Sequence, residues 1–224
     1  MIFDGMSEVR TIIFDYGGVI MTSAQEEAVR RFRVLGINPS QLPLDKYSQT
    51  GLFGALEEGR ITKEEFREQL SSLAGHELSH EDCLWACLGY VKEIPKRNIR
   101  LLRVLRQRGY RLLLLSNTNA YMMSWAMSSE FVGEGGALSD YLDKCYCSYE
   151  VGKIKPDPDF FQYVLKQENL IAEETLFVDD NEKNVAVARS FGMKTLQPVN
   201  GEDWTGNLLE LLSRYSQAPV VEFS

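Results

Sequence analysis

Four charged side chains and one serine lie in or beside short apolar runs, and their types could do chemistry together. Asp15, Ser116 and the pair Asp179 and Asp180 end such runs, and Lys155 follows another. If the runs are parallel strands of one sheet, these side chains converge at its carboxyl edge. Two carboxylates about 4 Å apart repel by about 4 kcal/mol at an effective dielectric near 20, so three of them need a cation. Oxygen ligands of this kind suit Mg²⁺, and the pattern predicts a metal-dependent phosphate site.

Each of these residue types can perform one part of phosphate chemistry. Asp15 can attack phosphorus to form an aspartyl-phosphate, because a metal and the Lys155 ammonium offset the repulsion between two anions. Ser116 can donate a hydrogen bond to a phosphoryl oxygen without adding charge, and Lys155 supplies a positive charge. Taken singly, the same residues have ordinary explanations: a capping serine, a surface lysine and a turn with two aspartates.

The runs that end in these residues are typical of buried parallel strands. Residues 11–15 are β-branched or aromatic up to the aspartate, and Gly17 and Gly18 then let the backbone turn tightly beside a ligand. Further strands are predicted at residues 111–116, 145–148, 175–179 and 193–196. Helical patterns lie between them, which predicts an α/β fold whose parallel sheet has helices on both faces.

Residues 24–94 contain helical patterns and no convincing strand. Their helix starts are predicted from three pairs of capping residues, namely Ser23 with Glu26, Thr62 with Glu65, and Ser79 with Asp82. A helical block between two strand–helix regions predicts a small all-helical cap inserted after the first strand. The predicted domains are a core of residues 1–21 and 95–224 and a cap of residues 22–94.

Composition narrows the classes of partner. The 224 residues are 44% hydrophobic and 25% charged, which predicts an ordinary folded core. A net charge of -8 without a basic stripe argues against a nucleic-acid partner. The longest aliphatic run, 112–115, is far too short to span a membrane, and the acidic residues near the N-terminus do not suit a signal peptide. We therefore expect a cytoplasmic protein with no membrane partner, and the sequence predicts no particular oligomeric state.

Cysteines and histidines could form a second site, but their spacing favours structural roles. Cys83 and Cys87 lie one helical turn apart, and Cys145 and Cys147 share one face of a strand. This spacing does not suit zinc ligands on loops, and we predict reduced, partly buried thiols. His76 and His80 lie in a polar connection, and both are predicted to be surface residues.

The order and spacing of four segments resemble the four motifs of the haloacid dehalogenase-like hydrolase superfamily. These segments are Asp15-Tyr16-Gly17-Gly18-Val19, Ser116-Asn117-Thr118-Asn119, Lys155-Pro156-Asp157-Pro158, and Asp179-Asp180-Asn181 with Asn184. The resemblance covers nearly all of the chain and is nearest to a branch that includes bacterial glucose-1-phosphate phosphatases and the phosphatase domain of soluble epoxide hydrolases. It implies a Rossmann-like core, and it implies hydrolysis of small phosphorylated metabolites, with sugar phosphates the favoured class.

The resemblance also implies a set of ligands. The implied Mg²⁺ ligands are Asp15, the Gly17 carbonyl and Asp179, with Asp180 assisting. The implied phosphate-binding residues are Ser116, Asn117, Lys155 and Gly18. The cap would exclude water when closed, and its segment 56–59 would approach the substrate by analogy.

Gly17 departs from the family pattern. Most phosphatases of the family carry a second aspartate there, which protonates the leaving group and then activates water. A positioned general acid is worth about 10²- to 10⁴-fold in rate. Without one, and unless another group compensates, activity should fall steeply as the pKa of the leaving group rises.

Two other functions fit parts of the sequence. A non-catalytic phosphate-binding or regulatory protein would explain Gly17, but it would have no use for the retained, mutually repelling carboxylates. A 2-haloacid dehalogenase also uses an aspartate nucleophile and needs no metal. However, Tyr16 falls one place early for the dehalogenase pattern, and the pair Asp179 and Asp180 would be unexplained without a cation.

Overall fold

The predicted site residues lie at the carboxyl edge of a five-stranded parallel sheet. The computed structural model describes residues 7–45, 50–132 and 136–215. The strands are β1 (Thr11–Phe14), β2 (Thr22–Ser23), β3 (Val91–Glu93), β4 (Arg111–Ser116), β5 (Lys144–Cys147), β6 (Thr175–Val178) and β7 (Lys194–Leu196). The main sheet has the order β5-β4-β1-β6-β7, and every neighbouring pair in it is parallel. The predicted α/β fold is therefore confirmed.

Helices cover both faces of this sheet. They are α1 (Gln25–Val34), α2 (Gly51–Glu57), α3 (Lys63–Ala74), α4 (His80–Cys87), α5 (Lys96–Gln107), α6 (Ala120–Ala126), α7 (Ser148–Val151), α8 (Pro158–Gln167), α9 (Glu182–Ser190) and α10 (Thr205–Tyr215). Alternate residues of β1 point into opposite layers: Ile12 and Phe14 join one buried cluster, and Ile13 joins another. Both clusters exclude water, which explains why the strand reads as a continuous apolar run.

The register places the ends of the central strands side by side. Phe14 pairs with Leu114 on one side and with Val178 on the other. The Asp15 N–H then donates to the Val178 carbonyl at 2.8 Å, which extends the pairing by one residue. Asp15 and Asp179 therefore leave adjacent strands at the same level.

The segment predicted to be an all-helical cap contains α1 to α4, but it is bounded by two short strands. Thr22–Ser23 pairs antiparallel with Val91–Glu93 in a separate two-stranded sheet. The prediction of no strand here is wrong, because strands of two and three residues are too short to show alternation. Residues 1–6 and 216–224 of the predicted core lie outside the described residues.

Two of the three predicted capping boxes are confirmed, at Thr62 and at Ser79. The box at Ser23 is wrong: α1 begins after Ala24 without a side-chain cap, and the Ser23 N–H instead donates to Asn200 Oδ1 at 3.0 Å. Strand pairing of Ser23 has displaced its capping role. The helix α2 was not predicted: it begins at Gly51, and the side chain of its N-cap residue Thr50 makes no capping hydrogen bond.

The cysteine prediction is confirmed and the histidine prediction is half right. All four cysteines are free thiols, and three of them are buried. His76 is exposed, as predicted, but His80 is half-buried and its Nδ1 lies 2.8 Å from the Tyr121 hydroxyl. The contact between α4 and α6 is long-range and leaves no local signal. Within the three described ranges, no helix combines the length and apolar character needed to cross a membrane.

Candidate active site

Asp15 leaves β1 into a loop that is held at several points. The Tyr16 N–H donates to Asp15 Oδ1 at 2.7 Å and orients the carboxylate. The Gly18 N–H donates to the Met21 carbonyl at 2.8 Å, and Asn98 Nδ2 donates to the Val19 carbonyl at 2.8 Å. These bonds satisfy the backbone of the loop from within the protein, so the carboxylate is positioned before any ligand binds.

Asp179 lies at the end of β6 and is fully buried. Its Oδ1 accepts from the Asn181 N–H at 2.8 Å, and Asn184 Nδ2 lies 3.1 and 3.0 Å from its two oxygens. The helix α9 begins at this point, so its first turn supplies both the amide and the side chain. A buried carboxylate needs such donors to remain charged.

Lys155 bridges the two strand ends. Its Nζ lies 2.9 Å from Asp15 Oδ1 and 2.7 Å from Asp179 Oδ2. Burial lowers the pKa of Lys155, but the two carboxylates raise it by more, so the pKa lies above its ordinary value and the ammonium keeps its charge. Its backbone is fixed by Asn117, whose Oδ1 accepts from the Lys155 N–H and whose Nδ2 donates to the Lys155 carbonyl, both at 2.8 Å.

The donor set fits a magnesium ion. Asp15, Asp179 and Asp180 each offer a carboxylate oxygen, and these oxygens lie within 4.8 Å of one another. A Cβ on Gly18 would overlap the carboxylate of Asp180 where it now lies, and the φ of +79° at Gly18 also favours glycine. The buried Asn184 Oδ1 has no hydrogen-bond partner in the described structure. Hard oxygen ligands crowded in this way are the ones that Mg²⁺ prefers.

Without a metal, the surroundings of Asp15 disfavour its ionised form. Burial is the largest cause that raises its pKa from 3.8 to about 7; Lys155 opposes this rise, and Asp179 and Asp180 add to it. Burial likewise raises the pKa of Glu57 to about 8, with a smaller contribution from Asp15. A bound cation favours the ionised form of a carboxyl group and so prepares Asp15 to act as a nucleophile.

These shifts predict an unusual dependence of stability on pH. Between their ordinary and raised pKa values, Asp15 and Glu57 hold protons in the folded protein that the unfolded chain has lost. Stability in a chelator should therefore fall as the pH rises from about 5 to about 8. Carboxyl groups with lowered pKa values, such as Asp82, titrate below this window.

Thermal unfolding in EDTA across this range measures the effect. We expect Mg²⁺ to raise the melting temperature most at the upper end, and Asp15→Asn to make the decline shallower while the part due to Glu57 remains. A melting temperature in EDTA that rises steadily from pH 5 to pH 8 would contradict this account.

A cavity of about 100 Å³ opens above these groups. Of the residues predicted for the site, those lining it are Asp15, Gly17, Asn117, Lys155 and Asp180. Ser116, Gly18 and Asp179 are not among the residues that line it. Ser116 is buried at the end of β4, and its hydroxyl is 3.4 Å from the Asn117 carbonyl.

Sequence reasoning did not assign roles to several residues of the cavity wall. Asn119 and Asn181 cap α6 and α9, and Phe53, Glu57 and Tyr90 come from the segment between β2 and β3. Both asparagines belong to the quoted motif segments, where their residue type already favours a helix N-cap. The other three depend on how a distant segment packs over the sheet, and Glu57 was included only in a loosely matched stretch.

The fold and these motifs define a class. A family model of haloacid dehalogenase-like hydrolases matches residues 9–192 of the chain. This protein belongs to the haloacid dehalogenase-like hydrolases, which confirms the resemblance in the sequence. The narrower assignment to one branch of that superfamily stays a prediction.

Particular relatives are similar over nearly their whole length. The chain is 44% identical to a D-ribitol-5-phosphate phosphatase of Bacteroides thetaiotaomicron, with 92% of this chain and 99% of the relative aligned. A predicted hydrolase of the same family from Porphyromonas gingivalis has a TM-score of 0.85 at 41% identity, with 92% and 98% covered. A family enzyme of B. thetaiotaomicron, solved with magnesium and inorganic phosphate, has a TM-score of 0.79 at 31% identity, with 89% and 98% covered.

Proposed function

We propose that this protein is a Mg²⁺-dependent phosphatase that hydrolyses small phosphate monoesters, with sugar and alditol phosphates the favoured class, through an aspartyl-phosphate. The observation that carries the proposal is Asp15, which lines the cavity with Lys155 Nζ 2.9 Å away and two further carboxylates at metal-binding distance. The phosphatase relative at 44% identity supports the substrate class.

In this proposal each residue of the site has a defined role towards the phosphate group. Asp15 attacks the phosphorus atom, and Lys155 binds a phosphoryl oxygen and orients the nucleophile. Ser116, Asn117 and Gly18 contribute to the phosphate cradle, where Asn117 acts through its backbone because its amide already binds Lys155. When bound by Asp15, the Gly17 carbonyl, Asp179 and Asp180, Mg²⁺ supplies positive charge against the phosphoryl group.

The other residues that line the cavity indicate which kind of leaving group the phosphate ester has. Within the described part of the chain, Lys155 is the one cationic residue that lines the cavity, and it is engaged at the phosphate end. Ser23, Asn119 and Tyr90 add polar groups, and Phe53 adds an aromatic surface. Neutral hydroxyl-bearing leaving groups fit such a wall, whereas a second anionic group would find no counter-charge there.

The division into domains and the location are parts of the same proposal. Residues 22–94 act as a cap over a core formed by residues 1–21 and 95–224, and the paired strands β2 and β3 mark where the chain crosses between them. A cytoplasmic location is supported by the four free thiols, three of them buried.

Hydrolysis of a panel of phosphate esters tests the function. We expect release of inorganic phosphate from ribitol 5-phosphate, glucose 1-phosphate and p-nitrophenyl phosphate with Mg²⁺, complete loss in EDTA, and recovery when Mg²⁺ is added back. Chloroacetate serves as the control substrate. Release of chloride in EDTA would favour a dehalogenase, and phosphate binding without turnover of any ester would favour a regulatory protein.

A further inference from the structure

Glu57 is an acidic residue of the cavity that the roles above do not use. It is the last residue of α2 and lines the same cavity as Asp15 and Gly17. No hydrogen bond or ion pair of its carboxylate is found with any described residue. Its neighbour Glu58, in contrast, pairs with Arg60 and does not line the cavity.

The end of α2 is fixed against the core at two points on either side of Glu58. The buried Ser148 hydroxyl donates to the Glu57 carbonyl at 2.6 Å and accepts from the Thr118 N–H at 3.0 Å. Gly59 approaches the Tyr149 carbonyl so closely that a Cβ would lie 2.2 Å from its oxygen, and its φ of +68° also favours glycine. The position of Glu57 is therefore tied to Thr118, in the segment that follows β4.

We propose that Glu57 is the general acid and base of this phosphatase and takes the role of the carboxylate that position 17 lacks. The inference rests on the phosphatase function proposed above. It stands on three observations: an acidic residue that lines the cavity, the fixed attachment of its helix to the core, and a glycine at position 17, where the family pattern has the acid.

The two half-reactions balance with Glu57 in this role. In the first, a bond forms between Asp15 and phosphorus, the ester P–O bond breaks, and the leaving oxygen takes the proton of Glu57. In the second, Glu57 takes a proton from water as the water oxygen attacks phosphorus, and the bond to Asp15 breaks. The products are an alcohol, inorganic phosphate and the original carboxylate of Asp15. Burial is the main reason that the pKa of Glu57 lies near 8, which leaves it protonated for the first step at neutral pH.

Pre-steady-state kinetics of Glu57→Gln with two esters separates this role from a structural one. With an alkyl phosphate such as ribitol 5-phosphate, we expect kcat to fall about 10²- to 10⁴-fold. With p-nitrophenyl phosphate, whose leaving group needs no proton, we expect a burst of one nitrophenolate per active site, formed at the wild-type rate and followed by slow turnover. Wild-type and Glu58→Gln proteins should hydrolyse both esters at similar rates and show only a shallow dependence on the leaving group.

Gly17→Asp provides a second variant, which should restore the activity that Glu57→Gln removes. A Cβ at Gly17 would meet the tip of the Met21 side chain at 3.6 Å, which is ordinary contact, and the backbone carbonyl is unchanged. We expect Gly17→Asp to recover alkyl phosphate hydrolysis in the Glu57→Gln background by at least tenfold, with unfolding temperatures confirming that each variant is folded.

Equal losses on both esters without a burst, or no loss at all, would overturn the role of Glu57 while wild-type activity remained. Wild-type protein that is inactive with Mg²⁺ on every ester would instead overturn the phosphatase function itself. The two failures are therefore distinguishable in the same experiment.

Discussion

Asp15→Asn is expected to lower kcat for every phosphate ester by about 10⁴-fold or more, because an amide cannot form the covalent intermediate. The substitution keeps the shape of a side chain whose oxygen lies 2.9 Å from Lys155 Nζ. It also removes one of three mutually repelling carboxylates, so the variant should unfold at the same or a higher temperature in EDTA. Steady-state kinetics and thermal unfolding on one preparation measure both effects.

Asp159→Asn is the matched control. Asp159 is exposed on the first turn of α8, and its carboxylate lies 3.5 Å from the Lys153 ammonium. The Asp159→Asn substitution makes the same change of charge outside the cavity. It should leave kcat within about twofold of the wild-type value, as is usual for a surface substitution. Activity of Asp15→Asn within tenfold of the wild type would exclude an aspartyl-phosphate at this residue.

Lys155→Met is expected to lower the free energy of unfolding by about 3–5 kcal/mol in metal-free buffer near pH 8, because it leaves buried carboxylates without their counter-ion. The Lys155 ammonium contacts both Asp15 and Asp179 and is almost fully buried. Mg²⁺ should recover part of this loss, since a divalent cation among the same oxygens replaces the missing charge, but phosphatase activity should not return. Urea unfolding with and without Mg²⁺ measures the difference.

The equivalent change at Lys153 provides the comparison. Its ion pair with Asp159 is exposed, and such pairs contribute about 0–1 kcal/mol. If Lys155→Met costs no more than Lys153→Met, the buried bridge between the two strand ends does not stabilise the fold as we describe.

The central site could be predicted because its residues are tied to strand ends. Asp15 and Asp179 each follow a run of buried apolar residues, and parallel pairing brings such ends together whatever else the chain does. Asp157 caps α8 and Pro158 occupies its first position, and residue types in this order are themselves a local signal for a helix start. Features that depend on neighbouring residues in the sequence, or on the pairing of parallel strands, could be predicted from the sequence.

The remaining features depend on packing between distant segments. Glu57 reaches the cavity because α2 packs against α7, and nothing in residues 51–57 specifies that placement. Both side-chain groups of Asn117 are occupied by Lys155, which lies 38 residues further along the chain. His80 was placed at the surface for the same reason, since its partner Tyr121 belongs to another helix.

The pairing of Thr22 with Glu93 has a consequence for how such proteins diversify. In the proposed division into cap and core, the polypeptide leaves the core and rejoins it at neighbouring residues, so the segment between these points can change in sequence and length. Recombination or insertion there would leave the register of β1 against β4 and β6 untouched. New selectivity can thus arise in this segment, but with Glu57 in its proposed role any replacement must again bring a carboxylate to the cavity.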